Sequence, residues 1–325
     1  MPELEADPAV TSVAVTGPGS DGPQAYMAGV LGTAREAVIV DTIELAPQAR
    51  VGVGGWLAVT WLTVIVLAAL AAPILPIDDP YALAEASLDP PSANHWFGTD
   101  AAGRDVFARV IWGARTSLVV SVSAVMIGLV VGGALGLIAG YLRGATETVL
   151  TTFFDAMLAF PQLVLALSLV AVLASGEDIS ATRRLVVLIV ALGIVAIPIL
   201  ARITRANTLI WSQREFVTAA RSMGAKSSRI LVREVLPNVL PAMFSISLLG
   251  IAVAIVAEGG LSLLGVGVQP PTPSWGNIIA EGRNNLAVAP FVILFPTLFI
   301  FFTVLALNYL GDVIRARFDV RESAL

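Results

Sequence analysis

The sequence predicts an all-α membrane protein with about six transmembrane helices. Apolar residues make up 57% of the 325 residues and charged residues only 13%, whereas a soluble domain usually carries about 25% charged residues. Long uncharged segments recur along the chain, close to the roughly 20 residues that one helix needs to cross a bilayer. Basic residues concentrate between these segments, which indicates a multi-spanning protein.

The uncharged segments define the domain organisation. Residues 1–50 are polar, acidic and rich in Gly and Pro, which favours a disordered cytoplasmic tail, with an amphipathic stretch on the membrane surface as the alternative. Residues 51–115 comprise the first helix and an external loop, residues 116–312 the membrane core with a cytoplasmic loop at 204–237, and residues 313–325 a cytoplasmic C-terminus. The predicted helices are 56–75, 118–141, 148–174, 185–203, 238–266 and 288–311.

The distribution of arginine and lysine predicts the orientation. Six spans place both termini on one side of the membrane. With that side cytoplasmic, the cytoplasmic segments hold 13 of the 19 basic residues, and the segment from Arg202 to Arg233 alone holds seven. Short cytoplasmic loops carry an excess of basic residues. We therefore predict a protein of the inner or plasma membrane with both termini in the cytoplasm.

Composition excludes several kinds of activity. The net charge of −5 argues against nucleic acid as a partner, since phosphate binding needs a basic face. The chain has no cysteine and a single histidine, His95, so thiolate and multi-histidine metal sites are excluded. Lys226 lacks the upstream glycine spacing of a phosphate loop, and Ser262 lacks the second glycine of a nucleophile elbow. We predict no catalytic residue, cofactor or metal in this chain, which is not an enzyme.

Two carboxylates fall within the predicted spans. Asp155 lies near the cytoplasmic end of the third helix, and Glu258 lies toward the outer end of the fifth. Ionisable groups inside a membrane are functional candidates, so a proton relay in a carboxylate-coupled secondary transporter is one interpretation. Because the two residues fall near opposite faces of the membrane, structural hydrogen bonding is the favoured interpretation.

Four glycines in the second span recur at every fourth position. They are Gly128, Gly132, Gly136 and Gly140. This spacing places them on one stripe of a helix, where the missing side chains let another helix approach closely. The stripe predicts tight helix packing.

The cytoplasmic segment 214–237 predicts a helix–turn–helix that projects from the membrane, which we call the elbow. Its first helix ends at Gly224, a residue suited to the left-handed conformation that terminates helices. Ser227 and Ser228 can begin a second short helix. Ala219 and Ala220 predict a notch of small residues between apolar side chains, suited to a cytoplasmic partner.

The elbow resembles the cytoplasmic signature of the membrane subunits of ATP-binding-cassette importers. That signature is Glu-Ala-Ala, three residues, Gly, nine residues, Ile, any residue and Leu-Pro. Here Thr218-Ala-Ala220, Gly224 and Leu236-Pro237 keep the spacing, while Thr218 replaces the glutamate and Glu234 the isoleucine. The resemblance implies the type I importer permease fold for residues 116–312. The residues that it implies for coupling to ATPases are Phe216, Thr218, Ala219, Ala220, Arg221, Met223, Gly224, Leu236 and Pro237.

Further motifs resemble the C-type permease subunits of dipeptide and oligopeptide importers, whose relatives import nickel or glutathione. The similar segments are 95–105, 112–118, 257–265 and 269–276, with Asp155 and 159–161 matching in the third span. The loop-motif residues that this resemblance implies are Gly98, Thr99, Asp100, Gly103, Arg104, Asp105, Arg115, Trp275 and Gly276. His95, Asp100 and Asp105 also suit a divalent metal, but a loop held by local hydrogen bonds is the favoured interpretation.

The resemblance implies a permease subunit of an ATP-driven importer of dipeptides or oligopeptides. Its expected partners are a second, homologous permease subunit, two cytoplasmic ATPase subunits or one fused ATPase that hold the ATP and Mg, and an external substrate-binding protein, with short peptides in transit and membrane lipid around it. A nickel or glutathione importer is the alternative within this class. A secondary transporter and a membrane scaffold without transport are the alternatives outside it.

Overall fold

The structure is a computed structural model, and it describes residues 52–83, 86–175 and 180–322 of the chain. Within these ranges the secondary structure is helical apart from one antiparallel bridge between Thr99 and Asp105. The helices are α1 (Val53–Ala71), α2 (Val106–Ile127), α3 (Gly133–Leu142), α4 (Gly144–Leu158), α5 (Gln162–Leu173), α6 (Ala181–Trp211), α7 (Glu215–Ser222), α8 (Ser227–Ile230), α9 (Leu236–Leu263), α10 (Trp275–Gly282) and α11 (Phe291–Glu322). The tail predicted at 1–50 lies outside the described residues.

Five helical segments are long and apolar enough to cross a membrane. They are α1, the continuous pair α2–α3, α6, the run from Ser227 through α9, and α11. A π-helical turn, Gly128–Gly132, joins α2 to α3, and a second, Leu231–Val235, joins α8 to α9. With the bent pair α4–α5 counted as one span, the total is six, in agreement with the sequence prediction.

The third span is broken, contrary to the single helix predicted at 148–174. Helices α4 and α5 meet at an angle of 90°, and Pro161 precedes the first residue of α5 in a non-helical conformation. A proline has no backbone N–H to donate, and its ring disfavours a helical conformation at the preceding residue. The bend therefore falls at 159–161, so α4 and α5 each cover only part of the predicted span.

Several helices extend beyond the bounds predicted from uncharged segments. Helix α2 begins at Val106 rather than 118, because Asp105 caps it by accepting a hydrogen bond from the backbone of Ala108. Helix α6 extends past both ends of the predicted 185–203, and α11 continues past 311. Arg109 and Arg115 consequently lie on α2 rather than in an external loop, so using charged residues as helix ends was wrong here.

The glycine stripe is confirmed, and its partner is α6. A Cβ atom added at Gly132 would lie 2.5 Å from the carbonyl oxygen of Ile197, and one at Gly136 would lie 2.4 Å from that of Ala201. Gly128 and Gly140 approach α6 in the same way. Since lipid offers no hydrophobic drive for helix association, this close backbone contact is what holds α2–α3 to α6.

Helix α9 runs through the bundle and connects its two ends. Its 28 residues span about 42 Å at 1.5 Å per residue. The elbow precedes α9, and the C-terminal end of α9 leads to α10. In α10, Trp275 and Ile278 are fully buried against Val106 and Val110 of α2. We call these the elbow end and the loop end of the bundle, the latter because residues 86–105 lie there.

Candidate functional site

The elbow folds as predicted around Gly224. This residue has φ +80°, its N–H donates to the carbonyl of Arg221 at 3.0 Å, and the N–H of Ala225 donates to that of Ala220 at 3.1 Å. These two bonds form the motif in which a left-handed residue ends a helix. Helix α8 then begins at Ser227, so the two short helices and the turn between them are confirmed.

One face of the elbow packs on the bundle. Val217, Ala220 and Ile230 are buried in a cluster that includes Trp211 of α6 and Val239 of α9. The sequence predicts that Ala220 lies beside Ala219 in a notch on the exposed surface of the elbow, but Ala220 faces the bundle. Its small side chain therefore serves packing within the chain.

The other face of the elbow is exposed. Met223 is 81% exposed and Phe216 38%, and Thr218, Ala219 and Gly224 are exposed with them. A short α7 helix thus presents small residues between two large apolar side chains, with no described part of the chain covering it. This is a surface that a complementary protein groove can bury.

The remaining residues assigned to the elbow lie at its margins. Arg221 is exposed, with its guanidinium 6.0 Å from the ring centroid of Tyr141. Leu236 and Pro237 form the first turn of α9, directly after the π-helical turn Leu231–Val235. The second helix of the elbow, α8, is therefore continuous with α9.

The loop before α2 is held by its own hydrogen bonds. Gly98 and Gly103 both have φ +77°, which favours glycine. The Asp100 carboxylate accepts from the backbone N–H groups of Ala102 at 2.8 Å and Arg104 at 3.0 Å. The side chain of Thr99 accepts from the N–H of Asp89 and donates to Ala86. These bonds fix residues 98–104 of the loop in one conformation.

A charged network, which we call the loop-end network, joins this loop to α10. Arg109 is fully buried and pairs with Asp100, with Glu281 at 2.7 Å and with Asn277 at 3.2 Å. Arg104 also contacts both acids, at 2.8 Å each. Two guanidiniums thereby balance two carboxylates, which is the condition under which buried charges are tolerated.

Glu258 lies at the centre of a second polar cluster, the Glu258 hub. Its carboxylate is fully buried and accepts hydrogen bonds from the hydroxyls of Ser117 at 3.2 Å, Ser262 at 2.9 Å and Ser274 at 2.8 Å. Ser117 in turn accepts from the backbone N–H of Trp275 at 3.1 Å. The hub connects α2, α9 and the start of α10, as expected for a structural carboxylate.

Three loop-motif residues lie on helices instead of loops. Trp275 and Gly276 begin α10, where the indole N–H donates to the carbonyl of Val110 at 3.0 Å. A Cβ at Gly276 would lie 2.5 Å from the Cα of Gly259, so glycine is required for α10 to contact α9. Arg115 is exposed on α2 and contributes to neither polar cluster.

His95 lies in a group of acidic residues and forms a hydrogen bond with Asp105. The imidazole Nδ1 lies 2.9 Å from Oδ2 of Asp105, and the other oxygen of Asp105 accepts from Ala108 at 2.7 Å. Asp78 lies close enough to His95 and Asp105 to form a three-residue group with them. Asp100 instead belongs to the loop-end network. Both Asp105 oxygens are therefore engaged by protein groups.

Asp155 belongs to a different part of the molecule from Glu258. It is exposed on α4 and lies 3.9 Å from the Arg202 side chain of α6. Nearby, Glu147 pairs with Arg205, so two ion pairs connect α4 to α6 toward the elbow end. Glu258 is held by serines at the loop end, and the described contacts of the two carboxylates share no residue.

Sequence reasoning missed the partners that give the loop-end residues their role. Glu281 lies 172 positions from Arg109, and Ser274 lies 16 from Glu258. The four-residue spacing of Asn277 and Glu281 on one helix face is a local signal that could have identified them. Their pairing with α2 depends on tertiary packing, which no short-range pattern reports.

A buried polar loop end, a long continuous α9 and an elbow with one exposed face define a polytopic membrane protein. The chain belongs to the family of binding-protein-dependent transport system inner membrane components, whose pattern matches residues 132–323. It is a permease subunit of an ATP-binding-cassette importer and a multi-pass inner-membrane protein.

Similar proteins support this membership. The chain is 40% identical over 229 residues to the glutathione transport system permease protein GsiD of Pectobacterium atrosepticum, covering 70% of this chain and 73% of that protein. It is 41% identical over 229 residues to GsiD of Escherichia coli, with the same coverage. Its fold resembles a chain of the inward-facing MetNI methionine ABC transporter with a TM-score of 0.53 at 18% identity, over 64% of this chain and 96% of that one.

Proposed function

We propose that this chain forms half of the pathway of an ATP-driven importer of short peptides, including the tripeptide glutathione. Membership of the importer family supports the transport activity, and similarity to GsiD supports glutathione within the peptide class. The sequence motifs favoured dipeptides and oligopeptides more broadly. All of these molecules carry peptide bonds and charged termini, so one pathway of suitable width can pass them.

The exposed face of the elbow is the observation that carries the coupling role. Phe216 and Met223 stand on either side of small exposed residues, while the opposite face is anchored in the bundle through Val217 and Ala220. An ATPase that binds the exposed face can move α9 with it, because α7 packs against the bundle through Val217 and Ala220 and α8 continues into α9. ATP drives the cycle by binding one conformation of the assembly better than the other.

This assignment places the elbow in the cytoplasm and the loop end outside. The loop end then faces the external binding protein, and a second permease subunit completes the pathway. No residue of this chain is assigned to bond chemistry, and ATP and Mg belong to the ATPase subunits. Reporters fused near Arg221 and near Ser92 test the orientation: we expect the first to be cytoplasmic and the second external. Labelling of 202–233 by an impermeant external reagent would contradict it.

Uptake by the reconstituted transporter tests the function. The chain is assembled in proteoliposomes with a second permease subunit, ATPase subunits and a binding protein from the same organism. Entry of radiolabelled glutathione, a dipeptide and Ni²⁺ is then measured with and without ATP. We expect ATP-dependent uptake of glutathione, the dipeptide or both. Exclusive uptake of Ni²⁺ would refute the peptide proposal, and peptide uptake driven by a proton gradient without ATP would refute the importer class.

A further inference from the structure

A groove on the membrane-spanning part of the chain lies between α2, α5, α6, α9 and α11. It has a volume of about 480 Å³, within the range of cavities that hold small molecules. The residues lining it are all uncharged, and all but two have apolar side chains or none. The two exceptions are Gln162 at the start of α5 and Asn308 on α11. Both carry a carboxamide, a group that donates and accepts hydrogen bonds.

Asn308 has an unmet hydrogen-bonding requirement. Its Oδ1 is enclosed by protein atoms and has no hydrogen-bond partner, although it lies within the apolar segment Phe291–Arg317. Enclosed polar atoms without partners are uncommon in folded proteins and call for an explanation. A ligand or water that enters the groove can supply the missing partner after a rotation of the side chain.

Gln162 lies beside the break in the third span. The preceding Pro161 is non-helical, and 159–162 are exposed. Non-helical backbone at membrane depth is tolerated only where protein buries it or where it lines a water-filled cavity. The break therefore argues that this side of the groove faces water or another protein subunit rather than lipid.

We propose that this groove is the wall that this subunit contributes to the pathway, and that Gln162 and Asn308 bind the peptide bonds of the cargo in transit. A carboxamide matches a peptide bond donor for acceptor and acceptor for donor, whatever the side chains of the peptide. An uncharged wall holds neither charged terminus tightly. The groove thus selects molecules with peptide bonds while allowing them to leave.

This inference rests on the proposed peptide transport, and cysteine labelling tests it separately. The chain contains no cysteine, so Gln162→Cys and Asn308→Cys each introduce a single thiol. Val164→Cys is the matched control, since Val164 is exposed on α5 but does not line the groove. Leu67→Cys is a second control on the exposed surface of α1.

The reagent is a charged, membrane-impermeant maleimide, applied to the assembled transporter during ATP turnover. We expect the two groove thiols to react about 10-fold faster than either control, because maleimide needs water and a thiolate. A saturating dipeptide, or S-methylglutathione, which has no competing thiol, is expected to slow the groove thiols and leave the controls unchanged. Reaction at the control rate would overturn the inference and indicate a groove packed against the second permease subunit. Fast reaction that peptide does not slow would overturn the cargo contact.

Transport by apolar variants provides the second test. Gln162→Leu and Asn308→Leu remove the hydrogen-bonding groups at similar size, and we expect each to lower peptide uptake roughly 10-fold at unchanged peptide-free ATP hydrolysis. Gln162→Asn retains a carboxamide and should recover part of the loss. Gln269→Leu, a carboxamide outside the groove, is the control.

The outcomes separate the two proposals. Unchanged uptake in the Gln162→Leu/Asn308→Leu double variant would overturn the inference and leave the proposed function intact. A wild-type transporter that moves no peptide would overturn both.

Discussion

The loop end and the elbow end of this molecule are held by different forces. At the loop end, the fully buried Arg109 and Glu258 connect α2, α9 and α10 through ion pairs and hydroxyl hydrogen bonds. At the elbow end, apolar packing of Val217 and Ile230 anchors a surface whose other face is exposed. Polar networks in a low dielectric fix a unique arrangement, whereas a packed and half-exposed helix can move with a partner. We propose that the contrast separates a structural end from a coupling end.

This contrast predicts that loop-end substitutions change stability and elbow substitutions change coupling.

Arg109→Ala tests the loop-end network. Removing this guanidinium leaves Asp100 and Glu281 with only Arg104 as a cationic partner, and breaking a buried ion pair typically costs about 3–5 kcal/mol. We expect a strong loss of folded protein in detergent thermal-unfolding measurements. Arg115→Ala, on the exposed face of the same helix, is the control and should unfold as wild type does. Equal stability of Arg109→Ala and wild type would show that the network is not structural.

Gly132→Ala tests the contact between α2–α3 and α6. The added methyl group would lie 2.5 Å from a backbone oxygen that cannot rotate away, and overpacking of this kind costs about 1–3 kcal/mol. Gly250→Ala is the matched control, because its nearest neighbour would be a Val125 methyl group at 3.4 Å. Thermal unfolding of both variants measures the difference. A Gly132→Ala protein as stable as Gly250→Ala would contradict the close approach.

Ser117→Ala tests the Glu258 hub. The hydroxyl both donates to Glu258 and accepts from the backbone of Trp275, and leaving a buried polar group unpaired costs about 1–3 kcal/mol. Because Ser262 and Ser274 still donate to the carboxylate, we expect the lower part of this range. Ser168→Ala is the control, since Ser168 bonds only to the backbone of its own helix. An unfolding temperature equal to that of the control would show that Ser117 does not stabilise the hub.

Features that depend on local chemistry could be predicted from the sequence. The left-handed Gly224 follows from its place after a short helix, and the glycine stripe follows from a four-residue spacing that a helix turns into a face. The existence of the spans follows from uncharged length. Each of these needs only the residue itself and neighbours within one or two helical turns.

Features that depend on tertiary packing could not be predicted from the sequence. The sequence places Arg109 in a loop because a charge normally ends a span, but its pairing with Asp100 and the distant Glu281 allows it to lie buried in a helix. Ala220 was placed on the exposed face because the sequence does not state which side of α7 meets Trp211. The bend at Pro161 was foreseeable from proline chemistry, but proline is also found in continuous helices such as α6, which contains Pro198.

The central claim is that the elbow transmits the state of the ATPases to the membrane helices, and Gly224→Asp tests it most directly. A Cβ at Gly224 meets no atom within 4 Å, so the bundle is undisturbed and the cost is about 1 kcal/mol of local backbone strain. The added carboxylate lies on the exposed elbow face, where an ATPase would bind. Gly144→Asp is the matched control, since Gly144 also has positive φ and no neighbour within 4 Å but lies outside the elbow.

The measurement is ATPase co-purification, peptide-stimulated ATP hydrolysis and uptake in the assembled transporter. For Gly224→Asp we predict normal membrane abundance, loss of ATPase co-purification and uptake at background, with Gly144→Asp close to wild type. Co-purification, stimulation and uptake at wild-type levels in Gly224→Asp would contradict the assignment of the elbow as the coupling element.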